Sequence, residues 1–101
     1  MSENPREHGS QPLVELMEKW GISNHHLVAS SLEQLTHKQV QRARKGRQLT
    51  LHLMQKITRA LNQVILSELN DDARKEFVPY LHKHLFNYAK GHDPEWRDPN
   101  P

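Results

Sequence analysis

The sequence predicts an all-α protein, a compact bundle of about five to six short helices. Between Gln11 and Lys90, apolar residues recur at the three- and four-residue spacing of amphipathic helices. A Ser or Thr flanked by an apolar pair begins three successive segments, and neither strand-like alternation nor an internal repeat is visible. At 101 residues with 35% hydrophobic content, the chain suits one small domain with a thin core.

The first predicted helix lies between Pro12 and Gly21. A proline is favoured in the first helical turn, and a glycine readily adopts the left-handed conformation that ends a helix. The apolar side chains of this segment fall on one face: Leu13, Leu16, Met17 and Trp20.

Three further helix starts share one local pattern, in which an apolar residue precedes a Ser or Thr and a second apolar residue follows four positions later. The hydroxyl can accept a hydrogen bond from a free N–H of the first turn, and the apolar pair closes over it as a hydrophobic staple. The pattern predicts short helices over residues 24–31, 37–45 and 51–62, with Gly46 ending the second. It occurs as Ile22-Ser23 with Leu27, Leu35-Thr36 with Val40, and Leu49-Thr50 with Met54.

The C-terminal third carries weaker signals. Closely spaced apolar residues continue past Asn62 without an intervening Gly or Pro, so the helix over 51–62 can extend further. Pro79 would clash with the carbonyl of Lys75 in a continuous helix. We therefore expect a short helix near 71–78 and another from Pro79 to about Lys90, closed by Gly91.

The polar, Pro- and Gly-containing ends predict two flexible tails, over residues 1–10 and 91–101. Between them we expect a core over residues 11–62 and a helical extension of the same domain over residues 63–90.

Charge is distributed unevenly along the chain. The segment between Gln34 and Ser67 has no Asp or Glu but seven Lys or Arg, whereas the other 67 residues carry seven basic and twelve acidic side chains. The net charge of +2 thus conceals a segment of +7 in a remainder of −5. A surface kept for solubility normally mixes both signs. A concentrated cationic face instead predicts a polyanion-binding protein, and nucleic acid is the commonest such partner.

The order and spacing of several short motifs are similar to those of the lambda-repressor/Cro-type helix-turn-helix DNA-binding domain, over about residues 13–62. The resemblance implies a nucleic-acid-binding core at 11–62, with the helix at 37–45 docked in the major groove. One departure is that the segment between Val28 and Val40 holds about two extra residues, so either the turn is longer or the preceding helix is extended. The matching motifs are Gly21-Ile22-Ser23 with Leu27-Val28, Thr36 through Val40, Lys45-Gly46-Arg47 with Leu49-Thr50, and Lys56 through Asn62.

The helix over 37–45 supplies the candidate base-reading residues. If Val40 and Ala43 face inward, positions 37, 38, 41 and 42 face outward and Gln39 lies at the edge. Gln and Arg can pair bidentately with adenine and guanine edges in a major groove. The base-reading candidates are His37, Lys38, Gln39, Gln41 and Arg42.

Candidate phosphate-binding residues surround that helix. The start of the preceding helix offers backbone N–H groups, and a flexible basic loop around Gly46 can reach phosphates. The candidates are Ser23, Asn24, Arg44, Lys45, Arg47 and Lys56.

Other classes of function lack a sequence signal. Cysteine is absent, and the paired histidines, His25-His26 and His82 with His84, have spacings that do not share a helical face. We expect no metal site, no cofactor and no enzymatic activity, since the sequence has no Gly-rich phosphate loop and no identifiable catalytic base. A polar N-terminus and the lack of an apolar run of about 20 residues predict a cytoplasmic protein without a membrane span.

We therefore expect a sequence-reading DNA-binding protein, either a small transcriptional regulator or an accessory chromosome-binding factor. Two alternatives remain open. One is an RNA-binding protein of the same fold, in which the cationic face follows backbone shape. The other is a protein-interaction adaptor that acts through residues 64–90. That aromatic-rich segment either covers the core or forms a homodimer surface, since such domains commonly pair to read two half-sites.

Overall fold

Six helices make up the fold in a computed structural model that describes residues 7–101. They are α1 (Pro12–Trp20), α2 (Asn24–Ser30), α3 (His37–Lys45), α4 (Leu51–Glu68), α5 (Asp71–Glu76) and α6 (His82–Leu85). The described part of the chain has no strand, only an isolated bridge between Glu7 and Arg47. The prediction of an all-α bundle is confirmed. Most of the predicted N-terminal tail, residues 1–6, lies outside the described residues.

Local side-chain signals place the starts of α2, α3 and α4. In each case the hydroxyl accepts a 3.2 Å hydrogen bond from the backbone N–H three residues later, and the flanking apolar pair is buried. The pairs are Ser23 with His26, Thr36 with Gln39, and Thr50 with Leu53. Gly21 and Gly46 follow α1 and α3 with positive φ angles of 66° and 84°, as predicted for helix ends.

The long helix α4 is the centre of the bundle. It continues six residues past Asn62, and it packs against α2 and α6, while α1 packs against α3 and α6. Buried residues along α4, including Met54, Ile57, Leu61 and Ile65, join those of the other helices in one hydrophobic cluster. No helix in the described residues, α4 included, is long and apolar enough to cross a membrane.

The prediction of a helix from Pro79 to Lys90 is wrong, because only His82–Leu85 is helical there. The Asn62 side chain accepts a hydrogen bond from the Tyr80 N–H and donates one to the Tyr80 carbonyl, both at 2.9 Å. Asn100 binds the N–H and carbonyl of Val78 in the same way, at 2.9 and 3.0 Å. These hydrogen bonds hold residues 78–80 outside a helix, and the next helix begins only at His82. For the same reason α5 ends at Glu76 rather than at residue 78.

Residues 91–101, which the composition predicts to be a flexible tail, pack against α1 and α6 instead. The Trp96 ring stacks on His84 with 4.3 Å between centroids. Asp98 accepts hydrogen bonds from Lys19 and Tyr80, both at 2.6 Å, and Asn100 is buried. The C-terminal segment is therefore part of the fold.

The apolar side chains of the 64–90 segment that suggested a dimer surface either belong to the core or, like Phe77 and Tyr88, pack partly buried against it. Tyr80 is 1% exposed, and Leu85 and Phe86 are fully buried. Val78 and Leu81 are the exposed large apolar residues of this segment, at about half of their surface. Residues 64–90 thus pack on the rest of the bundle and do not present a continuous apolar face to solvent.

Candidate nucleic-acid interface

Helix α3 is anchored by two side chains on its inner face and presents polar side chains on its outer face. Val40 and Ala43 are fully buried, whereas His37, Lys38, Gln41 and Arg42 are exposed. In the described chain no carboxylate lies within 4 Å of the charged groups of Lys38 or Arg42. The outer face of α3 therefore keeps its hydrogen-bond donors and its positive charge available to a ligand.

Among the base-reading candidates, Gln39 is the one whose side chain forms hydrogen bonds within the described part of the protein. Its Oε1 atom accepts a 3.1 Å hydrogen bond from the N–H of Thr36, and the ammonium of Lys56 lies 3.5 Å away. Together with the Thr36 hydroxyl this forms a capping box at the start of α3. The Thr-x-x-Gln spacing is the signal that could have identified this role from the sequence. The side chain of Gln39 is half-buried, and its hydrogen bonds stabilise the start of the helix.

The connection between α2 and α3 is a six-residue turn over residues 31–36. Helix α2 ends at Ser30 and is not extended, so the additional residues lie in the connection over residues 31–36. Gln34 adopts a positive φ of 59°, the only non-glycine in the described residues to do so. The sequence left two possibilities for this insertion, and the longer turn is the one observed.

The basic loop after α3 is anchored rather than flexible. The carbonyl of Gly46 accepts a 2.7 Å hydrogen bond from the N–H of His8, and the Tyr88 hydroxyl donates to the carbonyl of Arg47 at 3.2 Å. A Cβ atom on Gly46 would lie 1.7 Å from the carbonyl oxygen of Gly9, so only glycine permits this close approach. The side chains of Lys45 and Arg47 remain exposed on the fixed loop.

Arg42 and Arg47 line the same open cleft, of about 280 Å³, between the end of α3 and the start of α4. Gln48 and Thr50 contribute polar groups to its lining. Arg47, with Gln48 and Thr50 beside it in the lining, has the chemistry to bind a phosphate group there.

The candidate residues at the start of α2 are partly occupied by contacts within the protein. The backbone N–H of Ser23 donates to Nδ1 of His26 at 3.0 Å, and the Ser23 hydroxyl caps the helix. The Asn24 side-chain oxygen accepts a 2.8 Å hydrogen bond from Arg44, which ties α2 to α3. Asn24 and Arg44 therefore form one unit at the edge of the basic face.

Lys56 and Arg59 have partners from the α2–α3 turn. The Lys56 ammonium donates to the carbonyl of Gln34 at 3.3 Å. Arg59 binds the Glu33 carboxylate through two hydrogen bonds of 2.6 and 2.7 Å, and this contact holds the pKa of Glu33 below its ordinary value. Nothing in the sequence indicates this pair, because Glu33 lies one residue before the acid-free segment and 26 positions from Arg59. Six of its seven cations, all except Arg59, have no carboxylate partner among the described residues.

Two histidines that the sequence did not pair meet beside α3. The rings of His25 and His37 are stacked with 6.0 Å between centroids, and both side chains are exposed. The described residues contain no group of three or more His, Asp or Glu side chains that could hold a metal ion.

Comparison with protein-family models, with curated proteins and with solved structures finds no significant match to this chain. The chemistry of the residues around α3 is therefore the basis for a functional proposal.

Proposed function

We propose that this chain is a sequence-reading DNA-binding protein, a small transcriptional regulator that docks α3 in the major groove. The outer face of α3 supports the proposal most strongly: Lys38, Gln41 and Arg42 are exposed donors on a helix fixed by two fully buried residues. An α-helix fits the width of the major groove, and Gln and Arg are the side chains best suited to read adenine and guanine there.

In this proposal Gln41 and Arg42 contact base edges, with His37 and Lys38 beside them. Lys45 and Arg47 contact phosphates from the anchored loop, and the Asn24–Arg44 pair contacts the backbone at the opposite edge. Phosphate contacts fix the register of a protein on the duplex, and base contacts supply the specificity. An anchored loop is an advantage here, since less conformational entropy is lost on binding.

An RNA-binding protein built on the same helices is the second candidate. The long turn over residues 31–36 favours it, because additional bulk beside α3 would hinder deep insertion into a groove. Double-stranded RNA is recognised mostly by shape and by backbone contacts. The exposed cations of α3 and its loop would serve such contacts equally well.

Selection of bound sequences from a random duplex DNA pool, with a random RNA pool in parallel, tests the proposal. We expect a defined DNA motif to be enriched and the RNA pool to show no motif. The Gln41→Ala, Arg42→Ala double variant is the control, and its DNA pool should yield no motif. Enrichment in the RNA pool alone would favour the second candidate, and no enrichment in either pool would contradict both.

A further inference from the structure

Gln11 is a buried polar residue that the proposed DNA contact does not use. Its side chain lies just before α1 and is 1% exposed. The Nε2 group donates hydrogen bonds to the carbonyls of His8 and Gly9, at 3.2 and 2.9 Å. The Oε1 atom accepts a 2.8 Å hydrogen bond from the N–H of Asn87, which is 76 positions away in the sequence. Gln11 therefore fixes the residues before α1 to the residues after α6.

The first of these two segments contacts the basic loop after α3, residues 46–49. The N–H of His8 donates a 2.7 Å hydrogen bond to the carbonyl of Gly46. The imidazole Nε2 of His8 lies 3.2 Å from Oε1 of Gln48, within hydrogen-bond distance. The ring of His8 also stacks on Tyr88 with 4.2 Å between centroids. One residue thus joins the loop to the second segment.

The second segment contacts the loop through the Tyr88 hydroxyl, which binds two of its backbone groups. The hydroxyl accepts a 3.0 Å hydrogen bond from the N–H of Leu49 and donates one of 3.2 Å to the carbonyl of Arg47. Burial raises the pKa of Tyr88, so the hydroxyl keeps at neutral pH the proton that it donates. The backbone on both sides of Gln48 is therefore held by a residue of the C-terminal third.

We propose that Tyr88 is a positioning residue for the phosphate contact of Arg47, and that Gln11 supports it through the Asn87 backbone. The inference rests on the proposed DNA binding, and it assigns part of the affinity to a residue outside the base-reading and phosphate-binding sets. A loop that is held before binding loses less conformational entropy when Arg47 is ordered on a phosphate. Release of the loop should weaken binding although every group that touches DNA is still present.

Tyr88→Phe tests the proposal, because it keeps the ring and its stack on His8 but removes the hydroxyl. Without DNA, the N–H of Leu49 should exchange with solvent at least about 10-fold faster, since it has lost its acceptor. The Kd for the selected duplex should rise about 3- to 10-fold. The Kd for a scrambled duplex should rise by the same factor, because phosphate contacts carry no sequence information. Hydrogen exchange followed by NMR and titrations with both duplexes measure these changes.

Tyr80→Phe is the matched control. It also removes one hydroxyl from a buried tyrosine of the C-terminal third, but that hydroxyl binds Trp20 and Asp98 and not the loop. It should leave the exchange rate of the Leu49 N–H and the affinity for both duplexes within about 2-fold of the wild type. A general loss of stability would change both variants alike.

A double-variant cycle with Arg47→Gln shows whether Tyr88 acts through Arg47. If it does, Tyr88→Phe should change the Kd by less than about 2-fold once the arginine is absent, because the contact that it positions has already been lost. An equal loss of affinity in both backgrounds would overturn the positioning role.

A Tyr88→Phe variant that binds both duplexes as tightly as the wild type would overturn this inference and leave the proposed DNA binding intact. Unchanged exchange of the Leu49 N–H would also overturn it, since the loop would then be held without the hydroxyl. A wild-type chain that binds neither duplex would overturn the proposed function, and this inference with it. The two failures are therefore distinguished by the wild-type titration.

Discussion

The hydroxyl of Tyr80 donates a 2.6 Å hydrogen bond to the carboxylate of Asp98, which joins the segment after α5 to the C-terminal residues. The same hydroxyl accepts a 3.0 Å hydrogen bond from the indole N–H of Trp20, and Lys19 donates to the same Asp98 oxygen. Burial and the hydrogen bond to Asp98 raise the pKa of Tyr80 to about 12. These four residues form a partly buried polar contact between α1 and the C-terminal segment.

We predict that the Tyr80–Asp98 contact contributes measurably to stability. Tyr80→Phe keeps the ring in the core but removes the hydroxyl, and it should lower the free energy of unfolding by about 1–2 kcal/mol. Asp98→Asn should cost at least as much, because it also removes the charge that pairs with Lys19. Glu95→Gln, an exposed carboxylate of the same segment, is the control and should have little effect. Urea denaturation of the two single variants and the double variant measures the coupling, and additive losses would contradict the contact.

The same region predicts how stability depends on acid pH. Burial tends to raise the pKa of Asp98, but the hydrogen bonds from Lys19 and Tyr80 outweigh it and hold the pKa below its ordinary value. Asp98 therefore stabilises the fold above a pH of about 4, the range of an unfolded aspartate, and this contribution is lost as the pH falls through the lower folded value.

Burial also lowers the pKa of His84, so the fold favours the neutral ring and loses stability as the pH falls below about 6.5. Denaturation midpoints measured from pH 8 to pH 3 should show both losses. His84→Gln should reduce the loss that begins below about pH 6.5, and Asp98→Asn the loss that begins below about pH 4. Profiles that match the wild type in both windows would contradict the assignment.

Binding to duplex DNA should weaken steeply with salt. Six cations of the acid-free segment lack a carboxylate partner in the described structure, which predicts a log–log slope of about −4 to −6 per protomer. Arg47→Gln should reduce the slope by about one unit. The control is the charge-neutral double variant Glu33→Gln, Arg59→Gln, which removes the ion pair and should leave the slope unchanged. Affinity that is flat across salt would reject the electrostatic model.

Variants of the base-reading residues and variants of the phosphate-binding residues should lose DNA affinity in different ways. Arg42→Ala or Gln41→Ala should cost about 1–3 kcal/mol on the selected duplex but little on a scrambled one, because a lost base contact reduces specificity. Arg47→Ala should weaken binding to both duplexes alike. Titrations of each variant against both DNAs at two salt concentrations measure the difference. If the Gln41 and Arg42 variants lose the same factor on both duplexes, α3 does not read sequence.

Substitution of Gln39 should change the stability of the protein, because its side chain caps α3. Gln39→Ala removes the capping-box hydrogen bond to Thr36 and should cost about 0.5–1 kcal/mol. Gln39→Glu can keep that hydrogen bond and should retain the wild-type melting temperature. Gln41→Ala, exposed on the same helix, is the control and should change stability by less than about 0.5 kcal/mol. A Gln39→Ala variant as stable as the wild type would show that the cap is dispensable.

Part of the candidate site could be predicted because its signals are local. Val40 and Ala43 are three positions apart on one helical face, so the exposure of Gln41 and Arg42 follows from the helical period alone. The capping role of Gln39 was equally readable, from the residue three positions before it. By contrast, nothing local to Arg59 shows that Glu33, 26 positions away, neutralises it.

The sequence by itself determined the starts of α2, α3 and α4, the glycine ends of α1 and α3, and the segregation of positive charge. The helix starts and ends depend on residues no more than five positions apart, where caps, staples and helical periodicity act, and the segregation of charge follows from composition alone. Only the tertiary structure decided the path after α5, because Asn62 and Asn100 bind the backbone of residues 18 and 22 positions away. It also decided that the C-terminal segment packs on α1 and that Tyr88 binds the loop after α3, since both depend on which distant surfaces the packed helices bring together.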